Sequence, residues 1–180
     1  GYVNPLGVRS PYDEGKRYAE TLCWTYRRVH NLDVKILRMF KTYGPRMKID
    51  DGRMIPDWVN AALTNQSIEI YADENMSGTF CYVADMVEVV LKMMQSSESG
   101  PLNVGHDREY TFKEVAEKIK KWAESRSEIR TVDRPDIIQY NGVPDISHAK
   151  DLLGWFPVTD IDKGLQLTVD ELRGQKVRTY

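Results

Sequence analysis

The chain has 180 residues, 41% of them hydrophobic and 29% charged, enough to bury one substantial core. A formal net charge of -2 and a pI near 6.0 give no bulk attraction to nucleic acid or to an anionic membrane surface, so any anion site must be local. No apolar run approaches the roughly 18 residues that span a bilayer, the opening GYVNPLGVRS lacks a signal-peptide core, and two cysteines are too few for a disulfide framework. A soluble cytoplasmic protein is expected, with Cys23 and Cys81 as buried free thiols and a membrane anchor upstream of this sequence left open.

From Pro11 to Val29 the pattern is helical: Pro11 suits a first turn, Asp13 and Glu14 follow it, and Ala19, Leu22, Cys23 and Tyr26 recur at helical spacing. VKILRMF, Val34 to Phe40, reads as a buried strand closed by the turn-forming Tyr43-Gly44-Pro45. A loop through Asp50-Asp51-Gly52 leads to a helix over 54–63, then a short strand over 68–71 and a largely buried helix over 83–94. PLNVG, 101–105, is strand-like, and Thr111 with Glu114 forms a capping-box signature ahead of the amphipathic VAEKIKKWAE. A weak strand at EIRTV, a polar loop over 133–145, a short helix ending at Gly154 and a last helix over 160–172 complete the chain.

Strands alternating with helices predict an α/β arrangement with parallel pairing. No strand is followed by a glycine-rich G-x-G-x-x-G or G-x-x-G-x-x-G turn, so the sequence carries no recognisable cradle for a dinucleotide pyrophosphate.

Tyr12 and Lys16 stand four apart in Y-D-E-G-K, which puts both on one helix face. A free tyrosine is a poor base at neutral pH, and a neighbouring ammonium stabilises its phenolate. In a chain with ten tyrosines the spacing also arises by chance, leaving a solvated helix face as the alternative. His30, His106 and His148 are scattered without partners at metal-ligand spacing, so no metal is expected; Trp122 and Trp155 read as core.

Blocks in fixed order decide between these readings. NPLGVRSPYDEGKRYAET resembles the active-site helix of UDP-glucuronate decarboxylases, members of the extended short-chain dehydrogenase/reductase (epimerase/dehydratase) family. LRMFKTYGPRMKIDDGRMIP resembles the strand and substrate loop that follow, and IEIYADENMSGTFCYVADMVEVV, GPLNVGHDREYTFKEVAEKI and VPDISHAKDLLGWFPVTDIDKGL agree. The resemblance implies the C-terminal portion of a Rossmann-type parallel sheet plus a smaller α/β substrate-binding domain, with the N-terminal dinucleotide-binding half absent. Residues 1–50 would supply the catalytic helix and following strand, 51–180 mainly the substrate-binding region, and 80–105 would return to the core sheet.

It further implies NAD as cofactor, a UDP-sugar as substrate, and a homodimer through the helix carrying Tyr12. Tyr12 would be the general base at the sugar 4-hydroxyl, Lys16 would hold the cofactor ribose, and Phe40 would lie beside the cofactor. Lys41, Arg46, Arg53 and Tyr71 would bind substrate, and Tyr82 with Asp85 would form a structural YVxD block. The implied chemistry is 4-oxidation, decarboxylation and re-reduction to UDP-xylose. A 4-epimerase or 4,6-dehydratase uses the same pair, and a degenerate, non-catalytic domain serving in self-association is the alternative from another class.

Departures fall where the family touches charge: Lys41 stands for asparagine, Met76 for glutamine, Gly78 for arginine and Val143 for a basic residue. Loss of that arginine predicts a lost charge-assisted contact, worth about 1.5–3 kcal/mol. The Ser/Thr and Glu that the family places near the sugar lie before the start of this sequence, and Ser10 does not replace them. Activity from this chain alone is not expected.

Overall fold

A computed structural model describes residues 4–49, 52–71, 76–132 and 142–178, with side chains described through Gln175. The expected loops at Asp50-Asp51 and over 133–141 lie outside the described residues.

The elements run α1 (Ser10–His30), β1 (Leu37–Met39), β2 (Thr42–Tyr43), α2 (Met54–Leu63), β3 (Ile68–Tyr71), β4 (Ser77–Thr79), β5 (Cys81–Tyr82) and α3 (Val83–Gln95). They continue with β6 (Leu102–Val104), β7 (Glu109–Thr111), α4 (Phe112–Trp122), β8 (Ile129–Val132), α5 (Ser147–Leu153) and α6 (Ile161–Arg178). β1 pairs with β6, β2 with β5 and β3 with β8, all parallel; β4 pairs antiparallel with β7. The protein is α/β with parallel pairing, as the alternating pattern predicts.

The larger core joins α2, α4 and α6 to the β3–β8 pair. Helical spacing sends Ile55, Trp58, Val59 and Ala62 of α2 inward, with Phe112, Val115, Ala116 and Ile119 of α4 and Ile161, Leu165, Val169 and Leu172 of α6. Each such large side chain contributes about 1.5–3 kcal/mol when fully buried. Trp58 Nε1 donates to the Glu69 carbonyl at 2.7 Å, pinning α2 to β3. Thr111 begins α4 with the predicted capping box: its hydroxyl accepts from Glu114 N at 3.1 Å, and its N–H donates to Glu114 Oε2 at 2.7 Å.

A smaller core gathers Cys81, Met86, Val89, Val104, Ala149 and Trp155 beneath β5, β6, α3 and α5. Trp155 Nε1 donates to the Asp85 carbonyl at 3.0 Å, and the buried Asp85 carboxylate accepts from Thr159 N and Oγ1 at 3.0 and 3.1 Å. The YVxD block is therefore a clasp between the start of α3 and the segment before α6. Burial pushes the Cys81 thiol up to about 12.

Several expectations need correction. The strand predicted over 34–40 is assigned only at Leu37–Met39 and is not buried, because β6 is its one partner among the described residues and Arg38 and Met39 face outward. α3 buries only one face; Val87, Leu91 and Met94 are exposed. Cys23 is half-buried, since α1 buries no residue at all. Trp122 is also half-buried, though its indole nitrogen is enclosed without a partner among the described residues. The last helix runs beyond 172 to Arg178. Among the described residues no helix is long and apolar enough to cross a membrane.

Candidate functional site

Helix α1 opens with Arg9 at its N-cap, whose carbonyl accepts from Tyr12 N and Asp13 N, both at 3.0 Å. One turn in, Lys16 Nζ stands 5.6 Å from the centre of the Tyr12 ring, and Arg9 Cζ lies 5.5 Å from the same centre. The structure thus brings Tyr12 and Lys16 together as the four-residue spacing predicts, and adds a second cation. Tyr12 remains 59% exposed, open to a ligand from solvent.

At about 100° per residue, Tyr12, Lys16, Glu20, Cys23 and Arg27 fall on one arc of α1 and Tyr18, Leu22, Tyr26 and Val29 on a second, the two arcs meeting where Tyr26 neighbours Tyr12. The first side faces the rest of the chain: Glu20 accepts from two guanidinium nitrogens of Arg38 in β1, Nε at 2.8 Å and Nη2. That fork holds the Glu20 carboxyl below its usual range. The second side is exposed and aromatic.

β1 carries the chain to Phe40 and Lys41. Phe40 N donates to the Val104 carbonyl and Cys81 N to the Lys41 carbonyl, both at 2.9 Å, so these two residues bridge β1–β6 and β2–β5. Gly105 permits this approach: a Cβ there would stand 2.8 Å from Phe40 Cβ. The half-buried Lys41 ammonium has its pKa lowered by burial first and then by Arg9, with Glu109 pulling the other way.

The remaining sequence-predicted residues sit on separate elements. Arg46 is exposed in the turn after β2, with a left-handed φ of 67°; Arg53 is the N-cap of α2; Tyr71 ends β3, its hydroxyl donating to Glu69 Oε2 at 2.9 Å. Tyr82 is buried edge-on against Tyr43, with ring centres 5.8 Å apart. Val143 is exposed, and Ser10 is the first residue of α1. Surface clefts of about 390 Å³ at Trp24, Arg27 and Leu32, and about 230 Å³ at Arg38, Asn103 and His148, are lined by neither Tyr12 nor Lys41. Among the described residues no group of three or more His, Cys, Asp or Glu gathers as a metal site.

Sequence reasoning missed Arg9 as a neighbour of the pair. Its position three residues before Tyr12 was the available signal, but an N-cap arginine belongs to no recognised pattern.

Comparison with known proteins gives a consistent picture. The family model described as the NAD dependent epimerase/dehydratase family matches residues 2–105. UDP-glucuronic acid decarboxylase 6 of Arabidopsis thaliana is 42% identical over 173 residues, 96% of this chain and 50% of that protein. Among solved structures, the UDP-N-acetylglucosamine 4-epimerase of Methanobrevibacter ruminantium, in complex with UDP-N-acetylmuramic acid, is 28% identical with a TM-score of 0.85, over 92% of this chain and 54% of that one. The Thermus thermophilus UDP-glucose 4-epimerase, in complex with NAD, is 26% identical with a TM-score of 0.82, over 92% and 55%. The chain thus spans about half the length of these relatives.

Proposed function

Since the chain belongs to the NAD dependent epimerase/dehydratase family, we propose that it supplies the proton-handling and substrate-covering part of a nucleotide-sugar enzyme that decarboxylates UDP-glucuronate to UDP-xylose. The observation that carries this reading is the Tyr12–Lys16 pair, one helical turn apart with the Tyr12 ring exposed.

Tyr12, as phenolate, takes the proton of the sugar 4-hydroxyl. The Lys16 ammonium, one turn away and 5.6 Å from the centre of the ring, would hold the ribose of NAD, with Phe40 beside the cofactor. NAD supplies the hydride-accepting and hydride-returning chemistry. Tyr12 then holds the proton for return to the 4-oxygen. Once C4 is a ketone, the carboxylate on the adjacent C5 is that of a β-keto acid; its loss as carbon dioxide leaves an electron pair delocalised onto the C4 oxygen, and C5 takes a proton from solvent to restore the 4-ketone. Lys41, Arg46, Arg53 and Tyr71 bind the UDP-sugar, the cations meeting its oxyanions and Tyr71 its base. Residues 1–50 and 80–105 form the part that continues the cofactor-binding sheet, and the β1–β6 pairing supports that division.

The test supplies UDP-glucuronate and NAD to this chain joined to a glycine-rich dinucleotide-binding half. A UDP-pentose and released carbon dioxide are expected; a 4-epimer or a 4,6-dehydrated sugar instead would move the chain to a sister activity, and no product or binding would reject the assignment.

The exposed stripe of Tyr18, Leu22, Tyr26 and Val29 favours a second property, self-association through α1. Its centre is turned away from the Glu20–Arg38 contact, and its edge at Tyr26 comes within about 40° of Tyr12 around the helix. Sedimentation that stays monomeric at rising concentration would remove this reading.

A further inference from the structure

Lys41 and Gly78 lie on different strand pairs, yet the chain folds one over the other. A Cβ added to Gly78 would stand 3.3 Å from Lys41 Nζ and 3.2 Å from Phe112 Cε1. Gly78 is an ordinary ladder residue paired with Tyr110 and does not have a positive φ, so backbone conformation does not call for glycine. Occupied space does: the ammonium and the ring fill the volume in which a side chain at 78 would begin.

The ammonium is half-buried and makes neither a hydrogen bond nor an ion pair among the described residues. Arg9 depresses its proton affinity and itself stands 5.5 Å from the centre of the Tyr12 ring, while Glu109 acts on Lys41 in the opposite direction. An ammonium partly stripped of water, with a second cation acting on it, costs free energy, and an oxyanion beside it relieves both the desolvation and the repulsion.

Resting on the nucleotide-sugar reading above, we propose that Lys41 reaches through the space left by Gly78 to form, with Arg9, an oxyanion subsite beside Tyr12, so that positions 41 and 78 act as one specificity-determining unit. The arginine that resembling sequences carry at position 78 is then not simply lost: its charge arrives from the neighbouring strand. The shared ligand chemistry is a nucleotide-sugar oxyanion, either a diphosphate oxygen or the sugar carboxylate.

The experiment titrates inorganic pyrophosphate and free glucuronate into the 180-residue chain, following the Lys41 side-chain resonance by NMR and affinity by calorimetry. At least one anion should move the Lys41 resonance and raise its pKa. Lys41→Met should weaken that anion about tenfold or more. Gly78→Val should cause a similar loss when Lys41 is present and none in the Lys41→Met background. The inference is overturned if neither anion moves the resonance, or if Gly78→Val weakens binding equally with and without Lys41.

UDP-glucose and UDP-glucuronate separate the sources. A Lys41→Met penalty on both assigns the diphosphate, and a penalty on UDP-glucuronate alone assigns the carboxylate. If neither UDP-sugar binds while pyrophosphate still depends on Lys41, the nucleotide-sugar reading fails and the oxyanion subsite stands.

Discussion

Helix α1 and helix α6 carry apolar residues at the same helical spacing, but α6 buries Ile161, Leu165, Val169 and Leu172 while α1 buries nothing. The difference teaches that an amphipathic pattern announces a surface in need of a partner without saying whether the partner is in the same chain. In α6 the pattern became core. In α1 one side carries the Tyr12–Lys16 pair proposed for proton handling and is held to β1 by the Glu20–Arg38 fork, and the other remains an uncovered aromatic stripe. Buried apolar area and the proposed site thus lie in different parts of the molecule, and substitutions should separate their effects.

The largest effect belongs to the core. Leu165→Ala should cost about 2–5 kcal/mol by lost burial and the cavity left behind, read as a lower denaturant midpoint. Tyr12→Phe, in the joined enzyme, should lower turnover about a hundredfold or more while leaving that midpoint unchanged, because the residue is exposed; a matching loss of stability would erase the contrast. Thr111→Ala removes a cap at the edge of the core and should cost about 1 kcal/mol in the same measurement.

A smaller, pH-dependent effect tests the tie between α1 and β1. The Glu20 carboxyl is depressed by Arg38, so its contribution is fully present above the unfolded carboxylate range and is lost as pH falls through the folded value. The melting-temperature gap between the wild-type chain and Glu20→Gln should therefore close on acidification. Solvent screening keeps it below about 1 kcal/mol. Smallest of all, Leu22→Ala should change stability by no more than about 0.5 kcal/mol, against the large loss from the same substitution at Leu165.

Legibility followed the same divide. α2, β3 and the start of α4 lie where predicted because each carries its own local signal: i, i+3, i+4 spacing in α2, alternation in Ile68 to Tyr71, and a capping box at Thr111. β2, β4, β5 and β7 were not foreseen, since strands of two or three residues are too short to show a period. The burial expected of 34–40 and of all sides of α3 failed for one reason: apolar composition does not reveal how many neighbours an element acquires. Within the site, Tyr12 and Lys16 were readable because four residues on a helix are a fixed distance apart. The approach of Lys41 to Gly78 was not, because it depends on two ladders that no local pattern encodes.

Those ladders have a consequence for how the protein is made. Their partners are 30 to 65 positions apart, and none forms a hairpin. As the polypeptide leaves the ribosome, β1, β2 and β3 emerge before β6, β5 and β8, the strands they pair with. Loop closure must precede any reward from strand pairing, which favours helices as the earliest structure and makes assembly slow relative to a hairpin-built fold of equal size. A stalled or shortened translation product ending before β8 would expose the edge of β3 that β8 covers, so residues 129–132 decide whether that edge is open to aggregation.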